Sequence, residues 1–121
     1  MDTTIPCIHV SLFAASEPFA VTFDEAQARL MQLPRMDTEP DGYFLIAGGE
    51  REGKRWVVNG QLFESADRLH RVELHGNCPK PMFDELLRCF GWPDAEIAFE
   101  LVREGVTLDE ASFRTWAARN G

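Results

Sequence analysis

Between Tyr43 and Leu74 the chain carries four segments dense in aromatic and β-branched residues, YFLIA, RWVV, QLFE and RLHRVEL, joined by gaps too short to hold a helix. Parallel neighbours need a crossover of a dozen or more residues, so these segments have to pair as an antiparallel meander. The breaks fall at Gly48-Gly49, Gly53, Asn59-Gly60 and Ser65-Ala66-Asp67, residue types that turn the backbone. Asn-Gly is a strong hairpin signal. RWVVNGQLFE also reads as one long strand with a bulge at Gly60 that turns at Ser65 to Asp67, and the long strand is preferred.

The flanks are helical or mixed. In IPCIHVSLF (5–13), Ile8, Val10 and Leu12 share one face while Cys7, His9 and Ser11 share the other, the period of a strand. VTFDEAQARLMQLP follows, with Thr22 and Glu25 spaced as a capping box, Phe23, Ala26, Leu30 and Leu33 as an apolar stripe, and Pro34 as a stop. VTLDEASFRTWAA (106–118) repeats the opening letters, so Thr107 and Glu110 are expected to cap a last helix. The agreement fades after one turn and reads as two similar caps, not a duplication.

MFDELLRCFGWP places Phe83, Leu86, Leu87 and Phe90 on one helical face, with Gly91 and Pro93 ending the helix. The alternation of Ile97, Phe99 and Leu101 predicts a strand. The order is β-α-β-β-(β)-β-α-β-α over residues 1–121: a single α+β domain with a mixed, mainly antiparallel sheet and about three helices packed on it. At 121 residues, folding removes about 65% of the unfolded surface from water, enough for one core.

Twelve Lys and Arg against twenty Asp and Glu give a net charge of −8. Residues 1–40 hold six acids and two bases, 41–80 six of each, and 81–121 eight acids and four bases. Nucleic-acid binding rests on cations displacing phosphate counterions, so a chain of pI near 4.8 is not expected to bind nucleic acid. Its acidity serves solubility or attracts a basic protein partner. The N-terminal MDTTIPCIHV lacks the basic start of a signal peptide, and no stretch is long and apolar enough to span a bilayer, so a cytoplasmic protein without membrane attachment is expected. Three cysteines are expected as free thiols.

The most chemically suggestive stretch is VELHGNCPKPMFDELL, residues 72–87. It reads as a turn at Gly76 leading into a helix that begins near Cys78, where a helix dipole would favour a thiolate with His75 as base. Pro81 stands where a redox CxxC tetrapeptide would have its second cysteine, which argues against that chemistry. Cys7, His9, His75 and Cys78 together have the composition of a two-nitrogen, two-sulfur zinc set, provided the first strand lies beside the one carrying His75. No cofactor is otherwise implied.

The remaining candidates have plainer readings. His70 is placed on an apolar strand face as a core histidine, and Cys89 is packing. Asp24-Glu25, Asp84-Glu85 and Asp109-Glu110 read as first-turn helix acids, and EREGKR (50–55) as a solvated hairpin tip. Trp92, in the turn before Pro93, is the tryptophan expected to be partly exposed and to serve interaction. No Ser-His-acid pattern, phosphate loop or HExxH helix appears. The leading expectation is a non-catalytic protein-interaction, accessory or inhibitory module. The alternative is a thiol- or metal-dependent enzyme, or a zinc-binding protein, using Cys78 and His75 with Cys7 and His9. A pocket for a small apolar ligand would leave no motif.

Overall fold

The computed structural model describes residues 4–15, 19–50 and 53–120. The elements run β1 (Thr4–Ala14), α1 (Phe23–Met31), β2 (Met36–Thr38), β3 (Tyr43–Gly48), β4 (Trp56–Ser65), β5 (Arg68–Pro79), α2 (Lys80–Cys89), β6 (Ile97–Leu101), β7 (Val106–Leu108) and α3 (Glu110–Asn120). The strands form one seven-stranded sheet in the order β2-β3-β4-β5-β1-β6-β7, and each neighbouring pair is antiparallel. This is the α+β architecture that the spacing requires: β2 to β5 are the meander, and β1 closes against the far side of β5.

Alternation gives the sheet two unlike faces. Val10, Leu12, Phe44, Ile46, Leu62, Val72, Leu74 and Phe99 lie on one face and are all at most 2% exposed. Buried residues from all three helices, Phe23, Leu30, Phe83, Leu86, Leu87 and Phe113 among them, join that same core cluster. Phe113 stacks between Phe83 and Phe99, with centroids 5.7 and 4.5 Å away. The helical layer therefore covers one side of the sheet.

Helix α1 starts as expected: the Thr22 amide donates to Glu25 Oε1 (2.9 Å), and the Glu25 amide donates to Thr22 Oγ1 (3.1 Å). Strand β4 is continuous through Asn59-Gly60, and its hairpin turns at Ala66 and Asp67, whose φ values of 52° and 66° make the two-residue connection that suits twisted strands. The irregularity lies opposite Phe63/Glu64, not at Gly60.

That irregularity corrects the placement of His70. One extra residue in β5 turns Leu69 and Val72 both inward, so His70 is exposed and meets Phe13 edge-on at 6.3 Å. The 72–87 stretch is corrected too. The chain does not turn at Gly76: β5 runs on to Pro79, held by β4 on one side and β1 on the other. Gly76 (φ +132°) is needed there because an added Cβ would stand 2.1 Å from the Val57 carbonyl oxygen.

Two strands were not anticipated. β2 lies between the helix stop at Pro34 and the first meander segment at Tyr43, and β7 takes Thr107 into the sheet opposite Glu100. α3 is capped instead by Asp109, whose Oδ1 accepts the Ser112 amide at 2.8 Å. Asp84 and Glu85 fall in the second turn of α2, because that helix begins at Lys80. Glu50 of the EREGKR loop pairs with Arg35, and Arg51 and Glu52 lie outside the described residues.

Candidate functional site

The sheet face opposite the helices is built by the same alternation. Antiparallel partners share a face, so register lines up Asp37, Leu45, Asn59, His75 and His9 in one row, and Tyr43, Gln61, Glu73, Ser11, Glu100 and Thr107 in the next. Phe63 and Arg71 form a third, with the guanidinium carbon 3.9 Å from the ring centroid. The Arg71 guanidinium also reaches Glu73 at 4.0 Å. Ser11, between Glu73 and Glu100, is the one buried polar residue of the described set, at 1% exposed.

At the centre of this face His9 and His75 are directly opposed, their ring centroids 5.2 Å apart and their planes at 57°. His9 Nε2 lies 3.4 Å from Glu73 Oε2. The strand pairing on which the Cys7, His9, His75 and Cys78 zinc set depends, β1 beside β5, is present, but the set does not assemble, because Cys78 lies on the core side of the sheet. Among the described residues, no three or more His, Cys, Asp or Glu side chains are gathered so that they could hold a metal ion.

The cysteines are distributed differently. Cys78 is three residues from His75, an odd offset, so it points to the core and is 1% exposed. Burial, reinforced by the negative charge of Asp84, pushes its thiol up to about 12. Cys78 precedes the Pro79 cap of α2 and has no thiolate-stabilising neighbour, so a nucleophile activated by His75 does not assemble. Burial likewise pushes Cys89 up to about 11. Cys7 is exposed, next to the break in β1–β5 register where Pro6 has no N–H to give the ladder.

Trp92 is half-buried and belongs to the contact between α2 and α3. Its Nε1 donates to Glu110 Oε1 at 2.7 Å, and the Arg88 and Arg114 guanidinium groups lie 5.3 and 5.4 Å from its ring. Arg114 donates to Asp84 and Glu110, both at 2.8 Å. At the β7 end of the sheet an open groove of about 540 Å³ lies between β7 and α3, lined by Leu101, Val106, Leu108, Ala111 and Trp116 with Glu104 and Arg119 at its polar side. Among the described residues, no helix is long and apolar enough to cross a membrane.

The two-sided sheet was legible in the sequence only in part. Alternation marks His75 and His9 as polar-face residues, but their opposition depends on β1 pairing with a strand sixty residues away, for which the sequence has no local signal.

No protein-family model matches the chain, and no solved structure matches it significantly. Among characterised proteins, a stretch of the Drosophila melanogaster cytoplasmic dynein heavy chain is similar, 28% identical over 90 residues. The match takes in 71% of this chain and spans 2% of the dynein chain.

Proposed function

We propose that this protein is a non-catalytic binding module that docks a basic protein partner on the uncovered face of its sheet. The observation that carries the reading is the placement of all three helices on one side, which leaves Tyr43, Phe63, Arg71, His9 and His75 on the other. Tyrosine and arginine are enriched where interfaces concentrate their energy, and aromatic rings supply contact area at low entropic cost.

The size is suitable. Six strand spacings of about 4.8 Å, and central strands rising about 3.3 Å per residue, give a tapering face of the order of the ~800 Å² that each partner contributes to a standard interface. Its charge favours a cationic partner: Asp37, Glu73 and Glu100 face outward with Arg71, which is already engaged by Glu73 and Phe63, and the whole chain carries −8. Complementary charge of this kind speeds encounter and sets register.

A photo-crosslinking residue placed at Gln61, on the open face, is expected to capture a basic protein from native lysate, with capture weakened by salt. The same residue at Ala118, on α3, is the control. Equal capture from both positions, or capture indifferent to salt, would count against the proposal.

A further inference from the structure

We infer that the groove between β7 and α3 receives an extended segment of a partner protein, which pairs with β7 as an eighth strand and sends alternate apolar side chains under α3. This goes beyond the docking proposal and does not depend on it. β7 ends the sheet order and, among the described residues, has β6 as its one neighbour, so the backbone groups along its outer side lack a ladder partner.

Proteins guard such edges with charge, proline or a covering element. The opposite edge is guarded: β2 carries Asp37, and Gln27 of α1 donates to the Glu39 carbonyl just past that strand at 2.6 Å. Val106, Thr107 and Leu108 of β7 bring neither charge nor proline, and Val106 is 45% exposed.

The groove has the dimensions of one added strand. Three residues rising about 3.4 Å each, one strand spacing of about 4.8 Å and a layer separation of about 10 Å enclose about 490 Å³. The groove holds about 540 Å³. Register suits it as well. Val106 and Leu108 both line the groove, while Thr107 lies in the open-face row beside Glu100. In a segment paired with β7, the residues opposite Val106 and Leu108 therefore enter the groove, and the one opposite Thr107 stays outside. The entering side chains meet Leu101 and Trp116, with room left by the short side chains of Ala111 and Ser112.

A second copy of the chain fits less well. Ten residues line the groove, against the roughly 20–30 that each side of a standard interface engages. Two-fold pairing through β7 would also set groove against groove and leave both unfilled, which a packed interface does not tolerate. The rim charges favour a segment with basic residues beside its apolar ones. Glu104 and Asp109 flank β7, and Arg119 of α3 offsets one of them, leaving a negative excess on a chain of net charge −8.

The test is a titration of the peptide acetyl-KTVTLTK-amide into the isotope-labelled full chain, followed by NMR. Saturable shifts at Val106, Thr107 and Leu108 are expected, with new protection of β7 amides from hydrogen exchange. Ser112→Phe, which fills the groove from the exposed side of α3, should weaken binding at least about tenfold. The peptide acetyl-KTSTSTK-amide, without apolar side chains, should not bind. Acetyl-ETVTLTE-amide should bind a few-fold more weakly at low salt, and Glu104→Lys should reverse that preference. Both substituted positions are exposed, and circular dichroism will show that the variants are folded. Phe63→Ser, on the open face, should leave peptide binding unchanged. No saturable shift up to millimolar peptide overturns the inference, as does equal binding by Ser112→Phe, a peptide bound as helix, or binding lost in Phe63→Ser. The docking proposal survives a failure here, because its own crosslinking test uses neither β7 nor this peptide.

Discussion

The Phe44 ring fills the space that Gly60 leaves by having no side chain: a Cβ built on Gly60 would stand 2.3 Å from Phe44 Cζ and 2.7 Å from the Glu73 carbonyl oxygen. The two residues are paired across β3 and β4, and Phe44 is wholly buried. Gly60 is thus the complement of a large core ring and not a hairpin residue. Gly60→Ala is expected to lose about 1–3 kcal/mol by overpacking, read as a lower urea midpoint. An unchanged midpoint would mean that the ring moves aside at no cost.

The thiols give a second prediction. Burial first, and Asp84 second, push Cys78 up to about 12, and burial pushes Cys89 up to about 11. Both groups are therefore protonated throughout the neutral and mildly alkaline range, and they are also shielded from reagent. Native protein treated with iodoacetamide at pH 8 is expected to take one adduct, on Cys7, and three after denaturation, as counted by mass spectrometry. Rapid labelling of Cys78 in the native state would revive the thiol-enzyme alternative.

A third concerns Arg114, which joins α2 to α3 through Asp84 and Glu110. Replacing it with Met keeps most of the packing but leaves Asp84, whose side chain is 17% exposed, without its main partner. Because the group retains some access to water, the expected loss is about 1–2 kcal/mol, below the 3–5 typical of fully buried pairs. Adding Asp84→Asn to the variant should restore part of it, a coupling that a double-mutant cycle measures.

Acid sensitivity gives a fourth. A hydrogen bond donated by the Ser112 backbone amide holds Asp109 below its usual 3.8, and one donated by the Thr22 amide holds Glu25 below its usual 4.5. Both folded values are depressed, so the stabilisation is complete above the unfolded values and is lost as pH falls through the folded ones. Melting temperature should decline as pH drops below about 4.5. Asp109→Asn, which still caps α3 but no longer titrates, should flatten that decline; an unaltered acid slope would show that the cap contributes nothing to it.

How far the sequence could be read is clearest in two nearly identical strings. VTFDEA at 21–26 and VTLDEA at 106–111 offer the same local cap, and only the first forms it. In the second, Thr107 is drawn into the sheet by β6, and Glu110 is taken by Trp92 and Arg114. Tertiary partners decided between equal propensities. His70 was misplaced for a related reason: a bulge shifts parity by one, and nothing in RLHRVEL marks it. The long β4 strand, the α1 cap and the α2 face were legible because each is set by residues within one or two turns of one another. The His9–His75 opposition was not, because it arises from register between distant strands.

The central claim is that the open sheet face, and not the helical layer, holds the partner. Its most direct test is the affinity of wild-type protein and of Tyr43→Ser/Phe63→Ser for a basic protein captured at Gln61, measured by calorimetry at equal folded fraction. Both residues sit outside the core cluster, so the fold should persist while affinity falls at least about tenfold, the signature of interface anchors. Undiminished binding by the double variant would contradict the account and move the interface elsewhere on the molecule.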